Sequence, residues 1–201
     1  MVAFLTINIV IMNRLVLVCF LMLSVFCYGQ NRNTYFALKN YNNKFVDTVT
    51  KYLGDDYLFR VIKKPEIDPE SVLQVSELSE SNYIVSVLYF EKNMWYNDTV
   101  KLRKNERIID NNIYDVVDSL LIALTTLNTY YTLSTHGGTS YEFVYSLNDS
   151  LRYCGTDSPE SDVLFDLAVQ VYQQLMRYVK IQEVSLIELN ERIDSIFTRF
   201  K

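Results

Sequence analysis

Nine consecutive residues, Tyr83–Glu91 (YIVSVLYFE), are almost unbroken in apolar, β-branched and aromatic types. Such a run suits a central strand covered on both faces, because a strand with one wet face would alternate apolar and polar residues. A chain that contains it must build layers around a sheet. The material for those layers is present: 49% of the 201 residues are hydrophobic and 14% aromatic, which excludes an intrinsically disordered chain. With 5 Gly and 3 Pro, collagen-like and Gly/Pro low-complexity chains are excluded too.

Around that run the sequence reads as a series of short elements. Phe45, Val49 and Leu53 recur every four residues and Gly54 follows, so residues 40–53 are predicted helical. Tyr57–Lys63 alternates as a strand. Asp68-Pro69-Glu70 has the order of N-cap, first-turn proline and early acid, which predicts a short helix reaching about Ser79. After Tyr83–Glu91, a loop at Asn93–Asp98 leads to a partner strand at Thr99–Arg103. Ile113, Val117, Leu120, Leu124 and Leu127 form one apolar stripe on a helix from about Asp110 to Asn128. Ser140–Leu147 and Leu151–Cys154 form a hairpin around Asn148-Asp149-Ser150. Ser158-Pro159-Glu160 opens a third long helix striped by Leu164, Leu167, Ala168, Val171, Leu175 and Val179. The last helix, about Ser185–Phe200, buries Leu186, Leu189, Ile193, Ile196 and Phe200.

The predicted architecture is α+β: an antiparallel sheet of about five strands with helices packed mainly on one face. No repeat or linker interrupts residues 30–201, which are expected to form a single domain. In element order, the helix–strand–helix–hairpin–helix of the first part resembles the small α/β domains of periplasmic proteins such as the TolB N-terminal domain. That resemblance rests on order alone and implies no function.

The N-terminus carries an address. Residues 1–28 hold no acid and one base, Arg14, followed by the apolar run Leu15–Phe26 and the small residue Gly29. These are the parts of a secretory signal peptide over residues 1–29, with Met12 as the alternative translation start. The ending Cys27-Tyr28-Gly29-Gln30 resembles export signals of secreted proteins in the Bacteroidota, which implies a bacterial, periplasmic or secreted protein. If the segment stays uncleaved it becomes a membrane anchor, since residues 1–28 approach the roughly 20 apolar residues that span a bilayer. Cleavage after Gly29 removes Cys19 and Cys27, leaves Cys154 alone, and so excludes an intramolecular disulfide. Stability then rests on apolar burial rather than cross-links. Cys154 itself, in the run Leu151-Arg152-Tyr153-Cys154, reads as a buried strand residue.

Charge narrows the partners. Nineteen basic residues stand against 24 acidic ones, a balance opposed to the basic stripe of a nucleic-acid binder. The one histidine, His136, lies beside Gly137-Gly138 and several hydroxyls, where an imidazole and backbone N–H groups could meet a substrate; the same glycines also serve a plain turn into the next strand. No G-x-S-x-G elbow, Gly-rich phosphate loop, EF-hand spacing or zinc-ligand set occurs, so no metal and no cofactor is expected. Tyr89, Met94, Trp95 and Tyr96 cluster at a predicted hairpin end, and Trp95 is the only tryptophan. Exposed Trp and Tyr at a loop tip supply large contact area with a polar handle. The same residues could instead fold back to close the core. The sequence thus points to an exported, non-catalytic binding module for a protein or glycan. The alternatives are a small hydrolase built from carboxylates and His136, and a signal-anchored envelope component.

Overall fold

A computed structural model describes residues 41–201 apart from 81, 98, 128–137, 148–149, 158, 160–161 and 199–201. The leader, His136 and Phe200 lie outside the described residues. The chain divides into two compact units, Met1–Val46 and Asp47–Lys201. Of the first, residues 41–46 are described, as the opening turns of helix α1 (residues 41–53).

The second unit is built on strands β1 (Phe59–Pro65), β2 (Ser71–Ser79), β3 (Asn82–Phe90), β4 (Leu102–Asp110), β5 (Thr139–Leu147) and β6 (Ser150–Thr156). They form one sheet in the order β4-β3-β2-β1-β5-β6, antiparallel throughout. Helix α2 (Asn111–Leu127) lies between β4 and β5 in sequence, and α3 (Val163–Lys180) and α4 (Leu186–Thr198) follow β6. The α+β expectation is met, with six strands rather than five.

The sixth strand is β2, where the sequence predicted a helix. Asp68-Pro69-Glu70 resembles a helix start, and in the segment after it, SVLQVSELS, Val72, Val75 and Leu78 fall three residues apart as on one helix face. Ser71–Val75 are all buried, which a strand between two others achieves and an amphipathic helix does not. Burial on both faces overrides the capping signal. Without the second helix, the element order behind the TolB-like resemblance is not present. Two other bounds move. β4 runs through the charged stretch to Asp110 instead of stopping at Arg103. α3 starts at Val163, later than the predicted opening at Ser158-Pro159-Glu160, and Asp162 caps it by accepting from Leu164 N and Phe165 N at 2.8 and 3.3 Å.

Register assigns the faces. Phe59 and Val61 sit opposite Val75 and Leu73, which in turn face Val85 and Val87, so these residues share one side with Phe143 and Cys154. That side packs against α2, α3 and α4 in one core that includes Ile113, Leu124, Leu175, Leu189 and Ile193. Cys154 is 1% exposed, and burial pushes its thiol up to about 12. Among the described side chains the predicted stripes of α2, α3 and α4 are buried or, at Leu164 and Leu186, half-buried, with Phe165, Tyr172 and Tyr178 added; the side chain of Leu127 and Phe200 lie outside them. On the second side lie Arg60, Ile62, Val72, Gln74 and Leu88, also buried.

Two strand arginines close helices. Arg60 on β1 donates through Nε and Nη2 to Gln74 Oε1 and through Nη2 to Gly54 O, just past α1, while Gln74 donates to Leu53 O. Gly54 has φ 78°, the left-handed conformation that ends helices at little cost for glycine. Arg107 on β4 does the same for α3: it stacks 3.7 Å over Tyr178 and donates to Tyr178 O and Val184 O at 2.8 Å. Cationic donors there satisfy the carbonyls a helix leaves unpaired and oppose its dipole.

The strand assignment of β2 has a direct check. Leu73, fully buried, and Leu78, 55% exposed, occupy the two ends of the same element. Leu73→Ala is expected to cost about 2–5 kcal/mol by urea unfolding, and Leu78→Ala less than about 1.

Candidate functional site

β1 and β3 run in the same direction, so the loops that follow them (residues 66–70 and 91–101) leave the same end of the sheet. One carboxamide fastens the two together. Asn93, 5% exposed, donates from Nδ2 to Pro65 O, Glu66 O and Asp68 O at 3.2, 3.4 and 2.9 Å, while its Oδ1 accepts from Trp95 N at 2.9 Å. Glu70, 1% exposed, adds a second tie. Both its carboxylate oxygens accept from Met94 N, at 3.0 and 2.9 Å. Asn97 Nδ2 donates back to Asn93 O at 2.7 Å. Gly138, at φ 150°, joins the same end: its carbonyl accepts from Glu66 N at 2.9 Å as the chain enters β5.

This frame sorts the residues singled out in the sequence. Trp95 and Tyr96 stand 39% and 63% exposed on the clamped loop. Met94 between them and Asn93 is buried, so it closes the interior rather than facing a partner. Tyr89 is separate again: it lies on the helix side of β3, donates to Met176 O at 3.4 Å, and is pushed up to about 12 by burial. The predicted cluster therefore divides into two exposed rings and two inward residues. His136 lies outside the described residues.

Sequence reading missed Ile67. It stands 77% exposed, and the backbone on either side of it is held by the same Asn93 amide that fixes Trp95. Nothing local marks it, because the helix predicted from Asp68 placed the whole segment elsewhere. The two prolines that bracket it, Pro65 and Pro69, with Asp68 directly before the second, were the available sign of a turn around Ile67.

Other polar groups in the unit serve the fold. Asp118 on α2 accepts from Tyr145 at 2.7 Å and from Tyr114 at 3.1 Å, and Tyr114 stacks on Tyr83 with ring centroids 3.7 Å apart. Burial raises both phenols, and the adjacent Asp118 charge raises them further. Tyr172 shares a hydrogen bond with Ser71 at 2.9 Å and is raised by burial. A shallow polar groove of about 340 Å³ lies between α3 and α4, lined by Gln170, Gln174, Glu188, Glu191, Arg192 and Ser195. The apolar void under α2 and α3, about 10 Å³, is no larger than one water. Among the described residues, no group of three His, Cys, Asp or Glu side chains is placed to hold a metal, and no helix is long and apolar enough to cross a membrane. No family model matches the chain, and neither a curated protein nor a solved structure is significantly similar to it.

Two outcomes follow from this geometry. Asn93→Ala removes the fastening of both loops and is expected to cost about 1–3 kcal/mol. Hydrogen exchange should then rise in residues 91–101 while the sheet stays protected. The second concerns alkali. Phenols with raised values stay neutral in the fold after they would ionise in the unfolded chain, so the stabilisation is complete below pH about 10 and is lost as pH climbs toward 12. For a ring as buried as Tyr172 the loss is about 1.4 kcal/mol per pH unit. Phenolate absorbance should show one class of tyrosines titrating normally and another appearing only as circular dichroism reports unfolding.

Proposed function

We propose that this chain is an exported, non-catalytic binding module that meets a protein or glycan partner through the clamped loop pair at one end of its sheet. The observation that carries the reading is the exposure of Trp95 and Tyr96 on a loop whose backbone is fixed by Asn93 and Glu70. Aromatic rings held this way offer contact area without the entropy cost of ordering a mobile loop on binding. Export is supported by the sequence of residues 1–29 alone, with its single arginine, apolar run and small residue before Gln30. A partner outside the inner membrane fits that address.

The test separates contact from core. Trp95→Ala is expected to lower stability by less than about 1 kcal/mol, against the roughly 3–5 kcal/mol of a buried ring. Affinity capture from the native envelope and secreted fractions should recover a partner with the wild-type chain and lose it with Trp95→Ala and Tyr96→Ala. Identical recoveries with all three proteins, or a variant that unfolds, would remove the proposal.

A further inference from the structure

We infer that the loop pair binds a protein segment that presents an apolar side chain, rather than a glycan. This rests on the binding reading above and narrows it. The most exposed apolar residue at the site is Ile67, an aliphatic at 77%, and the Asn93 amide holds it on the same frame as Trp95 and Tyr96. Sugars are gripped by stacking on aromatic faces together with hydrogen bonds to hydroxyls, and a branched aliphatic offers neither. An apolar side chain from a protein uses all three residues.

The charges around the patch point the same way. Glu66 and Asp68 flank Ile67, and Lys92 and Lys101 lie on the loop that carries Trp95; all four are exposed. Among the described residues, none of these four forms an ion pair. The neighbouring Glu91 is occupied by Arg103 at 3.0 Å. An apolar centre with a rim of both signs is the anatomy of a protein–protein contact. A polyanion or an anionic membrane would meet repulsion from Glu66 and Asp68. The rim also sets orientation: an acidic residue of the partner suits the Lys92 side and a basic one the Glu66–Asp68 side. The ties at Asn93 and Glu70 leave little to be ordered on binding, so a short segment can be held.

The probe is a random peptide library displayed on phage and panned against the immobilised full chain, alongside a panel of soluble oligosaccharides. Trp95 is the sole tryptophan, so fluorescence reports this site alone. Enriched peptides should carry aromatic or aliphatic anchors, change Trp95 emission, and bind at least about tenfold more weakly to Ile67→Ser and to Trp95→Ala. Leu151→Ser, at an apolar residue on β6 that is 48% exposed, should bind them as the wild type does. Peptides that bind Ile67→Ser undiminished overturn the inference, and so does a library that yields no binder. An oligosaccharide whose binding depends on Trp95 and not on Ile67 also overturns it while leaving the binding function standing. If Trp95→Ala binds every probe as the wild type does, both fall.

Discussion

Val72 and Leu73 are adjacent in the chain, point to opposite faces of the sheet, and are both fully buried. That two-sided burial in β1, β2 and β3 is the constraint on which the rest of the unit depends. It makes the sheet an interior layer, so every element attached to it must either cover a face or leave by an end. On one side α2, α3 and α4 supply the cover with Ile113, Leu124, Leu175 and Ile193. The described residues hold one cysteine and no disulfide, so apolar surface removed from water is the main favourable term available.

Two-sided burial also brings polar groups into the layer, and these are used rather than merely tolerated. Gln74 sits in β2 between apolar neighbours, where an unpartnered amide would be costly. It is matched to Arg60 across the strand pair and to Leu53 O beyond it. Asn93 and Glu70 play the same part at the end of the sheet, where their buried acceptors and donors are spent on loop backbone. Stitching of this kind lets Trp95 and Tyr96 stay exposed without the loop being loose.

How much of this was legible from residues differs element by element. The stripes of α2, α3 and α4 could be read because apolar residues at helical spacing report one buried face directly. β3, β5 and β6 were legible from runs and alternation. β2 was not, since its cap-like opening is a local signal and its burial on both sides is a property of the neighbours β1 and β3. β4 was cut short for a related reason: Arg103, Lys104, Glu106 and Arg107 look like a loop until an edge strand gives them solvent. The site was half visible. Trp95 and Tyr96 announced themselves by type, whereas Tyr89 and Met94 had the same composition and turned inward. The Tyr89 ring meets Met176 O, and Glu70 holds the Met94 backbone, and both partners are distant in sequence.

Cys154 is the one thiol of the described residues, and it lies in the core. Packed opposite Phe143 and held neutral by its surroundings, it offers no thiolate to an oxidant or an alkylating reagent while the sheet is closed. Any labelling of this sulfur must wait for β6 to part from the helices above it. The rate at which a thiol reagent in excess labels Cys154 is then a clock for that opening, and the chain carries within its core a gauge of how often it breathes.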